Sequence, residues 1–140
     1  MSSKELASRI VDEMYNNDAF SQWLGIERLG EDAGTSKVRM TVRKEMLNGF
    51  QIAHGGITYS LADSALAFAC NSQGKRAVSV ETSISHTTTV REGDILTATA
   101  TEQHKSNKIG VYQVEVVNQN DDVVALFKGT VYRTGKNWFE

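Results

Sequence analysis

"NGFQIAHGGITYSLADSALAFACNSQG", residues 48–74, decides how the rest of the chain is read. It opens with small and polar residues around the Gly55–Gly56 pair and then runs through apolar side chains. Between Ile52 and Gln73 the only formal charge is Asp63. The run predicts a helix over about residues 55–72, apolar on nearly every face, and such a helix has to be surrounded by the rest of the molecule. Its length invites a membrane reading. Two glycines, the serines, an asparagine and the central aspartate argue against a span.

Working outward, "SSKELASRIVDEMYNND" predicts an amphipathic helix over residues 3–17. Ser2 and Glu5 have the spacing of a capping box, and Leu6, Ile10 and Met14 recur every fourth residue. "AFSQWLGIERLGEDAGT", with three glycines, reads as a turn-rich connection. From Thr35 the period becomes two: Val38, Met40 and Val42 alternate with Lys37, Arg39, Thr41 and Arg43, a strand with one buried face. Beyond the apolar helix, "AVSVETSISHTTTV", "DILTATATEQH", "GVYQVEVVNQ" and "DVVALFKGTVYR" are rich in Val, Ile, Thr and Tyr and read as four strands. "REGD" and "NQNDD" supply turn chemistry, so the last three strands are expected to form an antiparallel meander. The order predicts one α+β domain over residues 1–140, a curved antiparallel sheet wrapped around the central helix.

Composition narrows the function. The chain has 140 residues, 40% hydrophobic and 23% charged, with a formal net charge of −2. That charge offers no bulk attraction to nucleic acid or to an anionic membrane. The single cysteine, Cys70, lies in the apolar run, which suits a buried thiol and a reducing cytoplasm rather than a disulfide framework. Residues 1–20 carry no signal-like apolar segment. A soluble cytoplasmic protein is expected. His86 and His104 fall on separate strands, there is no HExxH or Cys/His cluster, and no metal or separate cofactor is expected. Serine-hydrolase elbows and nucleotide-binding glycine loops are likewise absent from the sequence.

The lone carboxylate and the helix start carry the chemistry. An ionised carboxylate in apolar surroundings costs several kcal/mol unless it is paired or solvated. Asp63 is therefore either a partner in a structural ion pair or a carboxylate retained in a cleft for catalysis. "IAHGGIT" places no Ser, Thr, Asp or Asn before the first turn, which leaves the N–H groups of Gly55, Gly56 and Ile57 as candidates for an anion or a developing oxyanion. Gly-Gly as a simple tight turn is the alternative. Gly55 and Asp63 are eight residues apart, or roughly 12 Å along a helix axis. One carbonyl cannot touch both on one helix. The catalytic reading therefore requires two chains with antiparallel central helices about a two-fold axis.

"LNGFQIAHGG", "SLADSALAFACNSQG", "REGDILTATA" and "GVYQVEVVNQ" together resemble the hotdog-fold acyl-CoA thioesterases, specifically the PaaI-like group of the phenylacetate pathway. The resemblance runs from about Asp18 to Arg133. It implies a sheet around a central helix, dimers joined into a homotetramer, and hydrolysis of an aryl-acyl-CoA such as phenylacetyl-CoA or hydroxyphenylacetyl-CoA. By position, Asp63 is the nucleophile or general base, and the Gly55 N–H is the oxyanion donor from the other subunit. Asn48 orients the attacking water or the thioester, and Ser79 matches a water-orienting serine of some relatives. His54 is a further candidate donor to the carbonyl. Arg91, Lys105 and Lys108, with Gly56, are candidates for holding the coenzyme A portion, and Phe20, Trp23, Tyr59 and Phe68 for lining an aromatic acyl pocket. Gln51 stands where many relatives have glycine, and "HTTTVREGD" lacks their usual proline. A non-catalytic acyl-CoA-binding or ligand-sensing protein of the same fold is the alternative.

Overall fold

The computed structural model describes residues 1–140. Helix α1 spans Ser3–Asn16 and α2 Ala19–Leu24; strands β1 and β2 span Glu27–Asp32 and Thr35–Thr41. The central helix α3 spans Gly55–Asn71, followed by β3 (Lys75–His86), β4 (Ile95–Lys105), β5 (Ile109–Val117) and β6 (Val123–Asn137). All strand pairs are antiparallel, in the order β1-β2-β4-β5-β6-β3. The fold is α+β, a hotdog arrangement in which one curved sheet wraps α3, as the sequence implies. The last three strands form the expected meander.

The capping box at α1 is present, with the Ser2 hydroxyl accepting from the Glu5 N–H at 3.0 Å and Glu5 accepting from the Ser2 N–H. Helix α3 buries Leu61 and Phe68 on one side and Leu66 on another, and all are 1% exposed or less. Val38, Met40, Leu96, Val114, Val116 and Phe127 come from the concave face of the sheet to meet it. The period-two strands and the all-round apolar helix are two halves of one core.

The stretch from Ala19 to Thr35 is more ordered than a turn-rich connection. Asp18 caps α2, its carboxylate accepting from the Ser21 N–H at 2.9 Å and the Ser21 hydroxyl at 2.6 Å, and Gly25 ends the helix at φ +76°. A helix of six residues is too short to display a hydrophobic period. β1 carries the charged sequence ERLGED because it is an edge strand with a single partner. Charge on an edge discourages pairing with other chains. Arg28 in β1 ties the edge to α1 through Asp12 at 2.7 Å and also pairs with Glu31.

At Gly129 on β6 the sheet lies close against α3. A Cβ there would lie 2.5 Å from Cδ2 of the fully buried Leu66. Gly129→Ala is expected to cost about 1–3 kcal/mol through overpacking. Urea unfolding with an unchanged m-value checks it.

Candidate active site

The α3 start is built by the loop before it. Leu47 and Ala53 form a bridge. The Ala53 N–H donates to the Val90 carbonyl at 2.8 Å, and the His54 N–H to the Met46 carbonyl at 2.9 Å. Asn48 clamps the loop, its Oδ1 accepting from the Phe50 N–H at 2.9 Å and the Ile52 N–H at 3.4 Å. Gln51 takes φ +61°, the left-handed region that favours glycine. His54 occupies the cap position without a side-chain hydrogen bond.

The Ile57 N–H does not remain free: it donates to the His54 carbonyl at 3.0 Å. The N–H groups of Gly55 and Gly56 have no partner in the chain. His86, at the end of β3, packs over Gly55, its Nε2 only 2.9 Å from where a Cβ would stand. Any side chain there would have to displace the exposed His86 ring. Asn48, Gly55, Thr58, His86 and Thr87–Val90 line one cavity at this end of α3.

Asp63 lines a different cavity, of about 420 Å³, on the flank of α3. It is half-buried and has no hydrogen bond or ion pair within the chain, so the structural ion-pair reading has no partner here. Burial pushes its carboxyl above the ordinary value, and the nearby carboxylate of Asp18 adds to the shift. Ser79 on β3 lines this same cavity. So does Cys70, whose thiol burial pushes up to about 12 and keeps protonated.

One chain thus divides these candidates between two cavities, Asn48 and Gly55 in one and Asp63 and Ser79 in another. The family model of the thioesterase superfamily matches residues 50–125, a span that includes Gly55, Asp63 and Ser79. The acyl-coenzyme A thioesterase PaaI of Escherichia coli (strain K12) is 48% identical over 87% of each chain. The structure of the E. coli PaaI protein from the phenylacetic acid degradation operon superposes with a TM-score of 0.95 at 45% identity, covering 97% of this chain and 99% of that one. A hypothetical thioesterase protein from Streptococcus pneumoniae TIGR4, solved with coenzyme A, superposes at 0.84 with 26% identity over 89% and 98%. The chain belongs to the thioesterase superfamily.

Other residues of this thioesterase divide between its two ends. Arg91 precedes β4 and Lys105 ends it, so the strand's length separates them on one chain. Lys108 lies in the β4–β5 hairpin with Lys105, whose Nζ donates to Gln73 Oε1 at 2.7 Å. The three basic residues do not form one patch within a chain. Of the aromatic candidates, Phe68 is core, with Tyr15 edge-on at 6.5 Å, and Tyr59 packs on Phe127 at 5.4 Å. Phe20 and Trp23 stack on the exposed face of α2, with the Arg43 guanidinium 4.5 Å from the Trp23 ring. None of the four lines the Asp63 cavity. The aromatic side chain that does is Trp138, distant in sequence and outside any motif. Sequence reasoning had no signal for it. No three His, Cys, Asp or Glu side chains gather as a metal-ligand cluster, and no helix is long and apolar enough to cross a membrane.

Two stability measurements follow from these positions. A carboxyl whose pKa is raised in the fold stabilises most below its ordinary value of 3.8 and loses that contribution as pH rises through the raised value. Asp63→Asn removes the loss, so the variant should melt at or above wild type at neutral pH, the advantage vanishing below about pH 4. Gly55→Ala should destabilise by about 1–3 kcal/mol. In a His86→Ala background, where the obstructing ring is gone, most of that cost should disappear.

Proposed function

We propose that this thioesterase hydrolyses acyl-CoA thioesters at sites shared between two copies of the chain. The observation that carries the proposal is the unpaired Asp63 carboxylate in its cavity, far along the same helix from the unpaired N–H groups of Gly55 and Gly56. An unpaired carboxylate and an uncapped helix start are each unfavourable in a folded chain, and one reaction uses both. The relative from E. coli, named an acyl-coenzyme A thioesterase, and the coenzyme A bound to the S. pneumoniae neighbour support acyl-CoA as the substrate.

In this reading the thioester carbonyl oxygen of the substrate accepts from the Gly55 N–H of one subunit. The positive end of the α3 dipole and the fixed N–H stabilise the tetrahedral oxyanion that forms there. Asp63 of the other subunit drives the attack on the carbonyl carbon, by its own oxygen or through a water it deprotonates. The C–S bond breaks as the carbonyl re-forms, and coenzyme A leaves as a thiolate that recovers a proton. Where Asp63 itself attacks, water then cleaves the resulting anhydride. The products are the free acid and coenzyme A, and the protein groups named here carry every step without a metal.

Asn48 keeps its Nδ2 for the substrate while its Oδ1 holds the loop. Ser79 orients water beside Asp63, His54 and Gly56 sit at the donor end, and Arg91, Lys105 and Lys108 meet phosphates of coenzyme A from different subunits. β3 is the edge opposite β1 and exposes Val78 and Val80, so it supplies a surface for the self-association, dimers pairing into a tetramer. Phenylacetyl or hydroxyphenylacetyl is the acyl group proposed, in keeping with the operon of the E. coli relative.

Release of free coenzyme A thiol from aryl- and alkyl-acyl-CoAs tests the reading, with Asp63→Asn alongside. Turnover should fall by about two or more orders of magnitude in a variant that remains folded. The wild-type rate should fall on acidification with a midpoint above the ordinary carboxylate range, because only ionised Asp63 can act and burial raises its pKa. Full turnover in Asp63→Asn, or binding of acyl-CoA without hydrolysis, would refute it and favour a ligand-binding role.

A further inference from the structure

The Asp63 cavity has a built far end. Asp63 and Asn71 both line it, and they stand eight residues apart on α3, roughly 12 Å along the axis. At the Asn71 end stands Trp138, just beyond β6. Its indole N–H donates to Asn71 Oδ1 at 3.0 Å, and its backbone N–H donates to the Gly74 carbonyl at 2.9 Å. The Arg76 guanidinium lies 4.2 Å from its ring centroid. The neighbouring Phe139 is held against α1, with the Arg9 guanidinium 4.0 Å from its ring.

Asn71 is itself immobilised. It is 3% exposed, its Nδ2 donates to the carbonyls of Ala67 at 2.9 Å and Ala77 at 3.1 Å, and its Oδ1 also accepts from the Ala77 N–H at 2.9 Å. A large flat ring is thus fixed by directional bonds to a side chain that cannot move. Between this ring and Asp63 the lining is mostly apolar, with Met14, Leu66, Ala67 and Cys70 along the way.

We propose that Trp138 is a specificity-determining residue, the end wall that limits the length of acyl group the Asp63 cavity accepts. The inference rests on the reading of Asp63 as the group acting on the thioester. The reacting carbonyl lies at the Asp63 end, and the acyl tail extends along α3 until it meets the indole. Compact acyl groups, an aromatic ring among them, fit in front of that wall; long linear chains collide with it.

The test compares kcat/KM for hexanoyl-CoA and dodecanoyl-CoA in the full chain, for wild type, Trp138→Ala and Trp138→Phe, with Asp63→Asn as the reference. Trp138→Ala should raise the dodecanoyl-to-hexanoyl ratio by about tenfold or more, since removing an indole frees space for several methylenes. The hexanoyl rate should stay within about twofold of wild type, and Trp138→Phe should move the ratio in the same direction by less. If Trp138→Ala does not fold, Trp138→Phe alone decides. An unmoved ratio, or equal loss of both substrates in a folded variant, would overturn the proposal and leave Trp138 as a clamp for the segment after β6. In that case an Asp63→Asn variant without turnover would leave the catalytic reading intact. Retention of turnover in Asp63→Asn would instead remove that reading, and the end-wall proposal with it.

Discussion

A carboxylate without a counter-ion, set into a helix that the whole sheet encloses, is the constraint on which this structure turns. Desolvating Asp63 opposes folding, and no arginine, lysine or backbone donor in the chain offsets it. The remainder of α3 carries the compensating apolar burial: Leu61, Leu66 and Phe68 are sealed by residues of the strands and of α1. The Asp63 cavity is where the enclosure is incomplete, bounded by α3, β3, Met14 of α1 and Trp138. The same geometry that raises the carboxyl's pKa gives it access to a ligand.

The α3 start follows a similar logic. The loop from Met46 to His54 is held by backbone pairing to Val90 and by the Asn48 side chain, not by a cap on the helix. Gly55 and Gly56 therefore present N–H groups that nothing in the chain satisfies, with the Gly55 Cα pressed beneath His86. Rigidity around an unsatisfied donor is the property an oxyanion site needs. The helix keeps this donor end and Asp63 roughly 12 Å apart, two turns and a little more, so the proposed reaction draws its second group from another copy.

Much of this was legible in the residues. The alternation of Val38, Met40 and Val42, the all-round apolar α3 and the Ser2–Glu5 box are local patterns with one physical meaning each, and all three appear as read. The isolation of Asp63 was visible because a single charge in an apolar run has no local partner. β1 and α2 were not legible, since an edge strand tolerates charge and a six-residue helix has no period. Nor was the setting of the site. Trp138 meets Asn71 across sixty-seven positions, and His86 reaches Gly55 from the end of β3. Such contacts are set by how the sheet curves, which no window of sequence contains. The aromatic candidates failed for the same reason: Phe68 and Tyr59 face the core, and Phe20 with Trp23 faces outward.

The central claim is that one active site takes Asp63 from one chain and the Gly55 donor from another. The direct measurement is subunit complementation. Asp63→Asn and Gly55→Pro, the latter lacking the N–H and suited to the first helical position once the exposed His86 ring is displaced, are each inactive as homo-oligomers in this account. Co-expressed with different tags and purified through both, mixed dimers carry one site with intact Asp63 and Gly55. After random mixing without tag selection, about a quarter of wild-type turnover should return, because half the dimers are mixed and each holds one of two sites. Mixed oligomers that form and stay inactive would contradict the shared site, and with it the explanation for why Asp63 and Gly55 lie so far apart on one helix.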